Sequence, residues 1–221
     1  MEIKYLGHAS FLIKTKTARV VTDPFDPEMV GMKFPKTEAD IITVSHHHDD
    51  HDQVDLVSMP ATGSAPLIIE IPGEFEKMGV RITGYKSYHD DKKGEERGEN
   101  ILYKIEAEGI TVLHCGDLGF VPDDGFLDEI GDIDILMVPV GGFYTIDAAQ
   151  AEQLVKKVEP AIIIPMHYAN PLMKNKDLAG KLTPVEEFTK KFGIEKPVAL
   201  PKLIYKKEEG EAEMKVVVLE V

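Results

Sequence analysis

Short apolar runs separated by polar turns cover most of the chain. In the first quarter, two β-rich runs at residues 10–14 and 18–22 follow a shorter one around Ile3 and Tyr5. Runs of this length, rich in β-branched and aromatic residues and bounded by turn residues, are typical of β-strands. Similar runs predict further strands at residues 41–44, 67–71, 80–85, 101–105, 110–113, 133–140, 161–165 and 214–221.

Helical periodicity appears between the later strands. Residues 146–158 place their apolar side chains along one face, Thr145 is an acceptable N-cap, and Pro160 ends the helix. Residues 185–192 and the stretch after Asp52 are shorter helix candidates.

The order of these elements indicates an α/β fold. Strands come first and strands alternating with helices follow, which implies sheet with helices packed outside it. The charged residues 206–213 are expected to form a turn between two strands, and we find neither a repeat nor a long linker. We therefore expect one domain over residues 1–221. Periodicity alone does not distinguish a sandwich of two sheets from a single open sheet.

The composition indicates a globular protein with a small-molecule partner. Hydrophobic residues make up 43% and charged residues 29% of the chain, an ordinary balance for a domain with a core. Asp and Glu outnumber Lys and Arg by 39 to 25, which gives a formal net charge of -14. Because an acidic surface repels polyphosphate, we expect no extended nucleic-acid binding. A metal pair would still attract a small anionic substrate.

The cysteine content and the N-terminus limit the cellular setting. Cys115 is the only cysteine, so neither an intrachain disulfide nor a thiolate metal cluster can form. The N-terminal residues lack the basic and apolar segments of a signal peptide, and no apolar run approaches the roughly 20 residues of a membrane-spanning helix. We therefore expect a cytoplasmic protein without a membrane partner. The sequence is compatible with a homo-oligomer.

The polar segment 45–52, Ser-His-His-His-Asp-Asp-His-Asp, carries the strongest chemical signal. It directly follows a predicted buried strand, and functional sites are usually assembled at strand ends. Because His46 and His48 are two residues apart, both imidazoles point the same way in an extended chain. If the chain then turns into a helix, Asp50 and His51 can face the same cavity. Imidazoles and carboxylates bind zinc, manganese or iron. The alternative is a polar loop, or a tract that binds metals adventitiously.

The segment matches the His-x-His-x-Asp-His signature of the metallo-β-lactamase superfamily, and the resemblance extends along nearly the whole chain. Further motifs of that superfamily stand in its order; they are residues 5–10 (Tyr-Leu-Gly-His-Ala-Ser) and 21–25 (Val-Thr-Asp-Pro-Phe), His89, Gly116-Asp117 and Pro165-Met166-His167-Tyr168. The chain looks most like the compact proteins similar to ascorbate-6-phosphate lactonases. This resemblance implies an αββα sandwich of two mixed sheets flanked by helices, with the site along the edge where the sheets meet.

The resemblance also implies the ligands of a dinuclear metal centre. His46, His48 and His89 would hold the first ion, Asp50, His51 and His167 the second, and Asp117 would bridge the two. The ions, expected to be zinc with manganese or iron as alternatives, would lower the pKa of a shared water and polarise the scissile group. Asp50 would orient that water and is therefore the implied catalytic residue. A turn role for Asp117 and a core role for His167 are the alternatives.

Two histidines compete for the third ligand position of the first ion. His114 and Asp117 are three residues apart, and an odd separation sends side chains to opposite faces of a strand unless a turn at Gly116 intervenes. His89 follows the strand predicted at residues 80–85 and opens a loop, where the family places its third histidine. We expect His89 to bind the metal and His114 to pack or to support the site. The alternative for His89 is a surface histidine.

Other residues are candidates for supporting roles. Asp23 is expected either to hydrogen-bond a ligand imidazole, as metal-bound histidines commonly require, or to serve as a turn residue. His8 either lines the pocket or packs locally. In the charged loop at residues 90–100, otherwise a solvated hairpin tip, Arg97 is the candidate contact for an anionic group of the substrate. Residues 141–144 precede a helix whose N-terminus could receive an anion, or form a flexible connection.

The expected function is metal-dependent hydrolysis of a small-molecule ester, lactone, amide or phosphoester. A phosphodiesterase or nuclease is one alternative, against which the charge of -14 argues. Flavo-diiron oxygen reductases share the fold, but their motif has a carboxylate where this chain has His48, and their flavin domain has no room here. A non-catalytic metal-binding scaffold is the last alternative, against which the complete ligand set argues.

Overall fold

A computed structural model of the protein describes residues 1–61, 63–207 and 213–221. Within these residues the chain forms two mixed β-sheets, a small two-stranded sheet and five short α-helices. Most of the turn predicted at residues 206–213 lies outside the described residues. None of the described helices is long and apolar enough to cross a bilayer.

The first sheet is built around an N-terminal antiparallel meander. Its strands are β1 (Glu2–Gly7), β2 (Ser10–Lys14), β3 (Arg19–Thr22), β5 (Ile41–Thr43), β7 (Leu67–Ile69) and β14 (Leu203–Ile204). They are arranged in the order β14-β1-β2-β3-β5-β7, and β3, β5 and β7 are parallel. Beside this sheet, two short parallel strands pair with each other, β4 (Thr37–Glu38) and β6 (Val57–Ser58).

The second sheet joins an antiparallel half to a parallel half. Its strands are β8 (Gly73–Lys77), β9 (Val80–Tyr88), β10 (Glu99–Ala107), β11 (Ile110–His114), β12 (Ile135–Pro139), β13 (Ile162–Met166) and β15 (Lys215–Val216). They are arranged in the order β15-β13-β12-β11-β10-β9-β8. In this sheet β11, β12, β13 and β15 are parallel to one another. Each of the pairs β8/β9, β9/β10 and β10/β11 is antiparallel.

Alternate side chains of the first sheet enter two different hydrophobic clusters. Val20 and Ile41 belong to the main core, which also holds the apolar residues of the second sheet. Their neighbours Val21 and Ile42 belong to a separate cluster on the other face. Because successive side chains on a strand point to opposite faces, the first sheet is covered on both sides. This explains why residues 41–44 read as a continuous apolar run.

Helices cover the outer faces of the two sheets. The five described α-helices are α1 (Pro27–Val30), α2 (Asp124–Ile130), α3 (Ala148–Val158), α4 (Lys176–Ala179) and α5 (Glu186–Thr189). Each contributes apolar side chains to one of the two clusters. The buried residues of α1 and α4 lie in the second cluster, whereas α3 contacts β12 and packs against α2 and α5. The predicted αββα sandwich is therefore confirmed.

The helix predicted over residues 146–158 begins two residues later than expected, at Ala148. Asp147 takes the N-cap position in place of Thr145, since its carboxylate accepts hydrogen bonds from two backbone N–H groups. The Gln150 side chain in turn accepts one from the N–H of Asp147. This reciprocal pair satisfies more of the free N–H groups of the first turn than a single hydroxyl would.

Several short elements depart from the predicted pattern. The stretch after Asp52 forms only a 3₁₀ turn at Val54–Leu56, and the strand expected at residues 214–221 is confined to Lys215–Val216. The helix expected at residues 185–192 is α5 followed by a 3₁₀ turn at Lys190–Phe192. The pattern missed α1, α2, α4, β4 and β6, which are too short to show a period of their own. It also missed β8, whose sequence Gly-Glu-Phe-Glu-Lys contains a single large apolar residue.

Tyr103 links the two sheets just before the polar segment begins. It lies on β10 and is fully buried. Its hydroxyl is 3.0 Å from the carbonyl oxygens of both Val44, the residue after β5, and Ile69 of β7, so it contacts the first sheet and the chain that leaves it. Because Val44 directly precedes residues 45–52, this contact fixes the strand end from which that segment extends.

We expect Tyr103→Phe to lower the free energy of unfolding by about 1 kcal/mol, because it removes the donor that two buried carbonyl groups share. Urea denaturation followed by circular dichroism measures the change. Tyr88→Phe is the matched control, since the Tyr88 hydroxyl has no hydrogen-bond partner among the described residues. Equal midpoints for the two variants would contradict this role of the Tyr103 hydroxyl.

Candidate metal centre

Three polar residues follow strands of the second sheet that run in the same direction. β10 is antiparallel to both β9 and β11, and β11, β12 and β13 are parallel. The carboxyl ends of β9, β11 and β13 therefore meet at one edge. His89, Asp117 and His167 come shortly after these ends, so the strand directions alone bring their backbones together.

The polar segment reaches the same edge from the first sheet. It leaves β5 and turns back on itself, with the N–H of His51 donating to the carbonyl oxygen of His48 at 2.8 Å. A tight turn, and not the helix considered as one possibility, thus lets Asp50 and His51 face the cluster. The turn brings His46 and Asp50 to the edge together with His51, and His8 arrives from the hairpin between β1 and β2.

Eight side chains meet at this edge. Three groups have ligating atoms within 4.8 Å of one another; they are His46-His48-His89, His46-His51-Asp117 and His8-Asp50-His51-His167. All seven residues that the sequence analysis named as metal ligands are among them. His8 is an eighth member, so of its two alternatives the structure places it inside the cluster.

Asp117 lies between the histidine groups. Its Oδ1 is 3.3 Å from Nε2 of His51, and its Oδ2 is 3.2 Å from Nε2 of His89 and 3.1 Å from Nε2 of His167. Its carboxylate therefore contacts histidines from both sides of the cluster. Its position is that of a central residue of the cluster and not of a surface turn.

The cluster contains buried polar atoms that need a partner. Six of them have no hydrogen-bond partner among the described residues; they are Nδ1 of His8, His89 and His167, Nε2 of His46 and His51, and Oδ1 of Asp117. Leaving one buried polar group unpaired costs about 1–3 kcal/mol. The histidine and aspartate side chains that meet here form a donor set suited to zinc and similar cations. The residues present therefore fit a metal site, which is open to solvent at the exposed His48.

The protonation states also suit a metal. Burial alone would raise the pKa of Asp117, but His167 and His51 hold it well below its ordinary value. Burial, together with His51, lowers the pKa of His46 well below the ordinary value. Burial and the nearby His167 lower the pKa of His8 to about 4. Although burial opposes it, the carboxylate of Asp117 raises the pKa of His51, so metal binding has to displace a proton from that ring.

Asp23 orients two of the histidines. Its Oδ2 accepts hydrogen bonds from Nδ1 of His51 at 2.9 Å and from the hydroxyl of Ser45 at 2.6 Å, and its Oδ1 accepts the N–H of Ser45 at 2.8 Å. Because the Ser45 hydroxyl donates to Asp23, it accepts from Nδ1 of His46 at 2.9 Å. Both imidazoles thus carry their proton on Nδ1 and turn Nε2 toward the cluster. Of the two alternatives for Asp23, the structure shows the hydrogen bond to an imidazole.

Asn100 is a buried residue that the sequence analysis missed. Its Oδ1 accepts the N–H of Asp117 at 2.9 Å, and its side-chain amide donates to the carbonyl oxygen of Cys115 at 3.0 Å. Gly116 has a φ of 53°, and a Cβ there would lie 2.4 Å from the Asn100 oxygen. Asn100 and Gly116 together set the turn that carries Asp117. A single Asn at the end of the charged loop 90–100 gives no sequence signal for this role.

His114 and Arg97 lie outside the three groups. Nε2 of His114 donates to the carbonyl oxygen of Ala9 at 2.7 Å, and its Nδ1 accepts the N–H of Gly116 at 3.3 Å. Both ring nitrogens are therefore occupied by the backbone, and His114 supports the turn before Asp117. Arg97 lies in the loop that follows His89.

That loop is ordered by Asp90, although its charge suggested a solvated tip. The Asp90 carboxylate accepts four backbone N–H hydrogen bonds of 2.8 to 3.0 Å; the donors are Lys92, Gly94, Glu96 and Arg97. Burial opposes ionisation, but the four donors outweigh it and lower the pKa of Asp90 to about 2. The chain on either side of His89 is therefore held in a defined conformation.

Comparison with known proteins shows the family of the chain and the fold it shares. A family model for the beta-lactamase superfamily domain matches residues 2–167. A UPF0173 metal-dependent hydrolase of Carboxydothermus hydrogenoformans is 31% identical over 193 residues, covering 76% of this chain and 84% of the relative. Its counterpart in Thermococcus onnurineus is 30% identical over 192 residues, with the same coverage of 76% and 84%.

Solved structures share the fold over most of its length. A candidate Zn-dependent hydrolase of the metallo-beta-lactamase superfamily from Thermotoga maritima has a TM-score of 0.76 and 36% identity, covering 99% of this chain and 97% of its own. Igni18, a metallo hydrolase from Ignicoccus hospitalis, has a TM-score of 0.63 and 20% identity, covering 93% and 99%; it is similar in fold.

The matched domain and the shared architecture mean that the chain belongs to the metallo-β-lactamase superfamily, as its motifs predicted. It is a metal-dependent hydrolase of that superfamily. The relatives to which it is similar over most of their length bear the family name UPF0173.

We expect Asp90→Asn to loosen the loop at residues 90–98, at a cost of about 1–3 kcal/mol, because the amide loses the charge and part of the acceptor capacity. Since the folded-state pKa is depressed to about 2, the stabilisation is complete above the ordinary Asp pKa and is lost as the pH falls through the folded value. Amide hydrogen exchange of the loop at neutral pH measures the effect.

Asp91→Asn is the control for this substitution. The Asp91 carboxylate is exposed and accepts no hydrogen bond from the described residues. If both variants exchange their loop amides at the same rate, the four hydrogen bonds to Asp90 do not order the loop.

Proposed function

We propose that the chain is a dinuclear metal-dependent hydrolase that cleaves an ester, lactone, amide or phosphoester bond of a small molecule. The observation that carries the proposal is the approach of eight histidine and aspartate side chains at one sheet edge. Among them are six buried nitrogen and oxygen atoms that lack a hydrogen-bond partner in the described residues. Structural polar networks normally satisfy such atoms internally, so their lack of partners in the described residues favours bound cations.

The proposed ligands divide into two sets around Asp117. His46, His48 and His89 would hold one ion, Asp50, His51 and His167 the other, and Asp117 would bridge them. In support of the bridge, the Asp117 carboxylate lies 3.2 Å from a histidine of the first set and 3.1 Å from one of the second. The donor set of imidazole and carboxylate suits zinc, and also manganese or iron.

When bound, the two ions supply Lewis-acid chemistry, lowering the pKa of a water molecule and polarising the scissile group. The chain's own contribution is made by Asp50. Burial would raise the pKa of this carboxyl, but His51 and His8 hold it far below the ordinary range. Its side chain is 13% exposed, next to the open side at His48. An ionised carboxylate there can orient a nucleophile by accepting a hydrogen bond from it, whereas its depressed pKa makes it a weak proton acceptor.

The net charge of the chain and the exposure of His48 support a small substrate. A net charge of -14 opposes a long polyanion, so we propose a small molecule and not a nucleic acid. The substrate would approach the cluster past His48, the exposed member of the ligand set. The relatives' shared designation as metal-dependent hydrolases supports this chemistry without naming a bond.

Metal content tests the dinuclear centre directly. On untagged protein purified without chelator, we expect elemental mass spectrometry to find about two equivalents of zinc, manganese or iron per chain. Asp117→Ala and His51→Ala should each lose at least one equivalent while their circular dichroism spectra stay those of folded protein.

His47→Ala is the control, since this neighbour of the proposed ligands is 64% exposed and should keep the full metal content. Unchanged metal content in both Asp117→Ala and His51→Ala would contradict the assignment. Near-zero content in the unmodified protein, even after incubation with each ion, would favour the scaffold alternative.

We also propose that His8 holds Asp50 in position. His8 is completely buried and has a φ of 55°, and its Nε2 lies 3.1 Å from Oδ2 of Asp50. Its ring centre is 4.2 Å from that of His167. A residue in the left-handed region is unusual outside glycine, and such conformations concentrate at functional sites.

His8→Phe keeps the size of the ring and removes the contact with Asp50, whereas His8→Gln retains a donor. We expect His8→Phe to weaken the affinity for the second ion by about 10- to 100-fold, and His8→Gln to weaken it much less. Titration with cobalt(II), followed by visible absorption, measures both affinities independently of any substrate. Equal affinities in the two variants would refute this role of His8.

A further inference from the structure

Two cations and two aromatic rings meet in loops that are attached to the segments of the proposed metal ligands. The guanidinium carbon of Arg97 lies 5.9 Å from the ring centre of Tyr144, and Nζ of Lys181 lies 5.4 Å from the same centre. Lys181 is also 5.5 Å from the ring centre of Phe143 and donates to the Tyr144 hydroxyl at 2.8 Å. Phe143 and Tyr144 pack edge to face at 4.7 Å. These four residues are called the cationic-aromatic patch below.

Backbone and side-chain hydrogen bonds hold Arg97 close to the cluster. Its N–H donates to Asp90, the residue after His89, at 2.8 Å. The N–H of His89 itself donates to the carbonyl oxygen of Gly98, the residue after Arg97, at 3.1 Å. Arg97 and Gly98 are therefore both hydrogen-bonded to the segment that contains His89, a proposed metal ligand.

The loop that carries the aromatic residues is tied to two other proposed ligands. Two residues after Tyr144, the N–H of Ile146 donates to the carbonyl oxygen of Leu118, the residue after Asp117, at 2.9 Å. Gly141, three residues before Tyr144, lies so close to His167 that a Cβ at this glycine would be 2.0 Å from the His167 carbonyl oxygen. The same loop thus touches the segments of both Asp117 and His167.

Lys181 is anchored to that loop as well. Thr183, two residues later, donates its N–H to the carbonyl oxygen of Gly141 at 2.9 Å. The cationic-aromatic patch therefore assembles from three separate segments. In each segment, a residue at most three positions from the patch contacts either a loop of the cluster or the loop that carries Tyr144.

Neither cation of the patch has a carboxylate partner in the described parts of the chain. Lys92, in the same loop as Arg97, pairs with Glu96. The Arg97 guanidinium makes neither a hydrogen bond nor an ion pair with the described residues, and Lys181 bonds only the Tyr144 hydroxyl. In a chain of net charge -14, two cations that contact the same ring and lack a carboxylate partner in the described residues create a local positive field.

Phe143 adds a second unusual feature. It is 60% exposed and has a φ of 58°. A bulky aromatic residue rarely adopts this conformation, and strain of this kind concentrates at binding sites. The fold thus presents an apolar ring to solvent 5.5 Å from the Lys181 ammonium and in contact with the Tyr144 ring.

We propose that the cationic-aromatic patch binds an anionic group of the substrate, a carboxylate or a phosphate, while Phe143 contacts an adjacent apolar part. The planar guanidinium of Arg97 matches both anions through paired hydrogen bonds, and Lys181 adds a point charge. The patch thereby selects anionic small molecules for the proposed hydrolase. This inference rests on the proposed function for its substrate, but not for its anion binding.

Isothermal titration calorimetry of the metal-loaded full chain with inorganic phosphate, and separately with acetate, tests the proposal. We expect Arg97→Gln and Lys181→Gln each to weaken the binding of at least one anion by about tenfold. Arg97→Lys should fall between, because it keeps the charge and loses the planar fork. The matched control is Lys92→Gln, which removes the same charge from the same loop and should change binding less than about twofold. The anion that responds identifies the substrate group as phosphate or carboxylate.

Two results would overturn the proposal. The first is that the unmodified protein binds neither anion. The second is that Arg97→Gln and Lys181→Gln bind both anions with the same affinity as Lys92→Gln, which would mean that the metals alone hold the anion. Metal content measured on the same samples separates the two claims. Protein without metal would refute the dinuclear hydrolase, whereas loss of anion binding at full metal content would be due to the patch.

Discussion

The carboxylate of Asp23 accepts three hydrogen bonds at the point where the polar segment leaves the first sheet, from both donors of Ser45 and from His51. It is fully buried, so each of these bonds acts in surroundings without competing water. Through Ser45 the same carboxylate also fixes the ring of His46. The orientation of two proposed metal ligands, and therefore the shape of the cluster, depends on this one side chain.

The two sheets contribute to the cluster in different ways. The second sheet supplies His89, Asp117 and His167 by strand direction, because their strands end at a common edge. The first sheet supplies residues 46–51 by a turn, whose start is held by the contact between Tyr103 and Val44. A site at the junction of two stacked sheets can therefore be rigid on both sides, although every proposed ligand lies in a loop or turn.

The charges of the molecule are consistent with the small anionic substrate that we propose. The chain as a whole is acidic, yet the unpaired cations Arg97 and Lys181 lie in loops attached to the segments of the cluster. Positive charge at the site and negative charge elsewhere attract a small anion and repel a long one. The proposed reaction and the proposed selectivity are thus consistent with each other, although they rest on different residues.

Much of the proposed site was accessible from the order of residues. His46, His48, Asp50 and His51 lie within six positions, so their meeting depends on a short turn after a buried strand, which local pattern and motif both report. His89 and His167 come at the ends of predicted strands, where side chains converge. The fold class was likewise predictable, since buried strands and the motif order agreed. The start of α3 was not predictable, because Thr145 and Asp147 are both acceptable N-caps. Only the structure shows that Asp147 takes this position, through a reciprocal hydrogen-bond pair with Gln150.

The supporting residues depended on the tertiary structure. Asn100 lies 17 positions from Asp117 along the chain, and the Arg97 guanidinium approaches a ring 47 positions away, so neither contact leaves a periodic or spacing signal. The same holds for the choice between packing and pocket at His8, which required knowing that Asp50 lies 3.1 Å away. Local sequence specified the ligand chemistry because strand ends and turns are local events. Only the stacking of the sheets decided which distant side chains surround it, because long-range contacts are formed by the packing of the whole core.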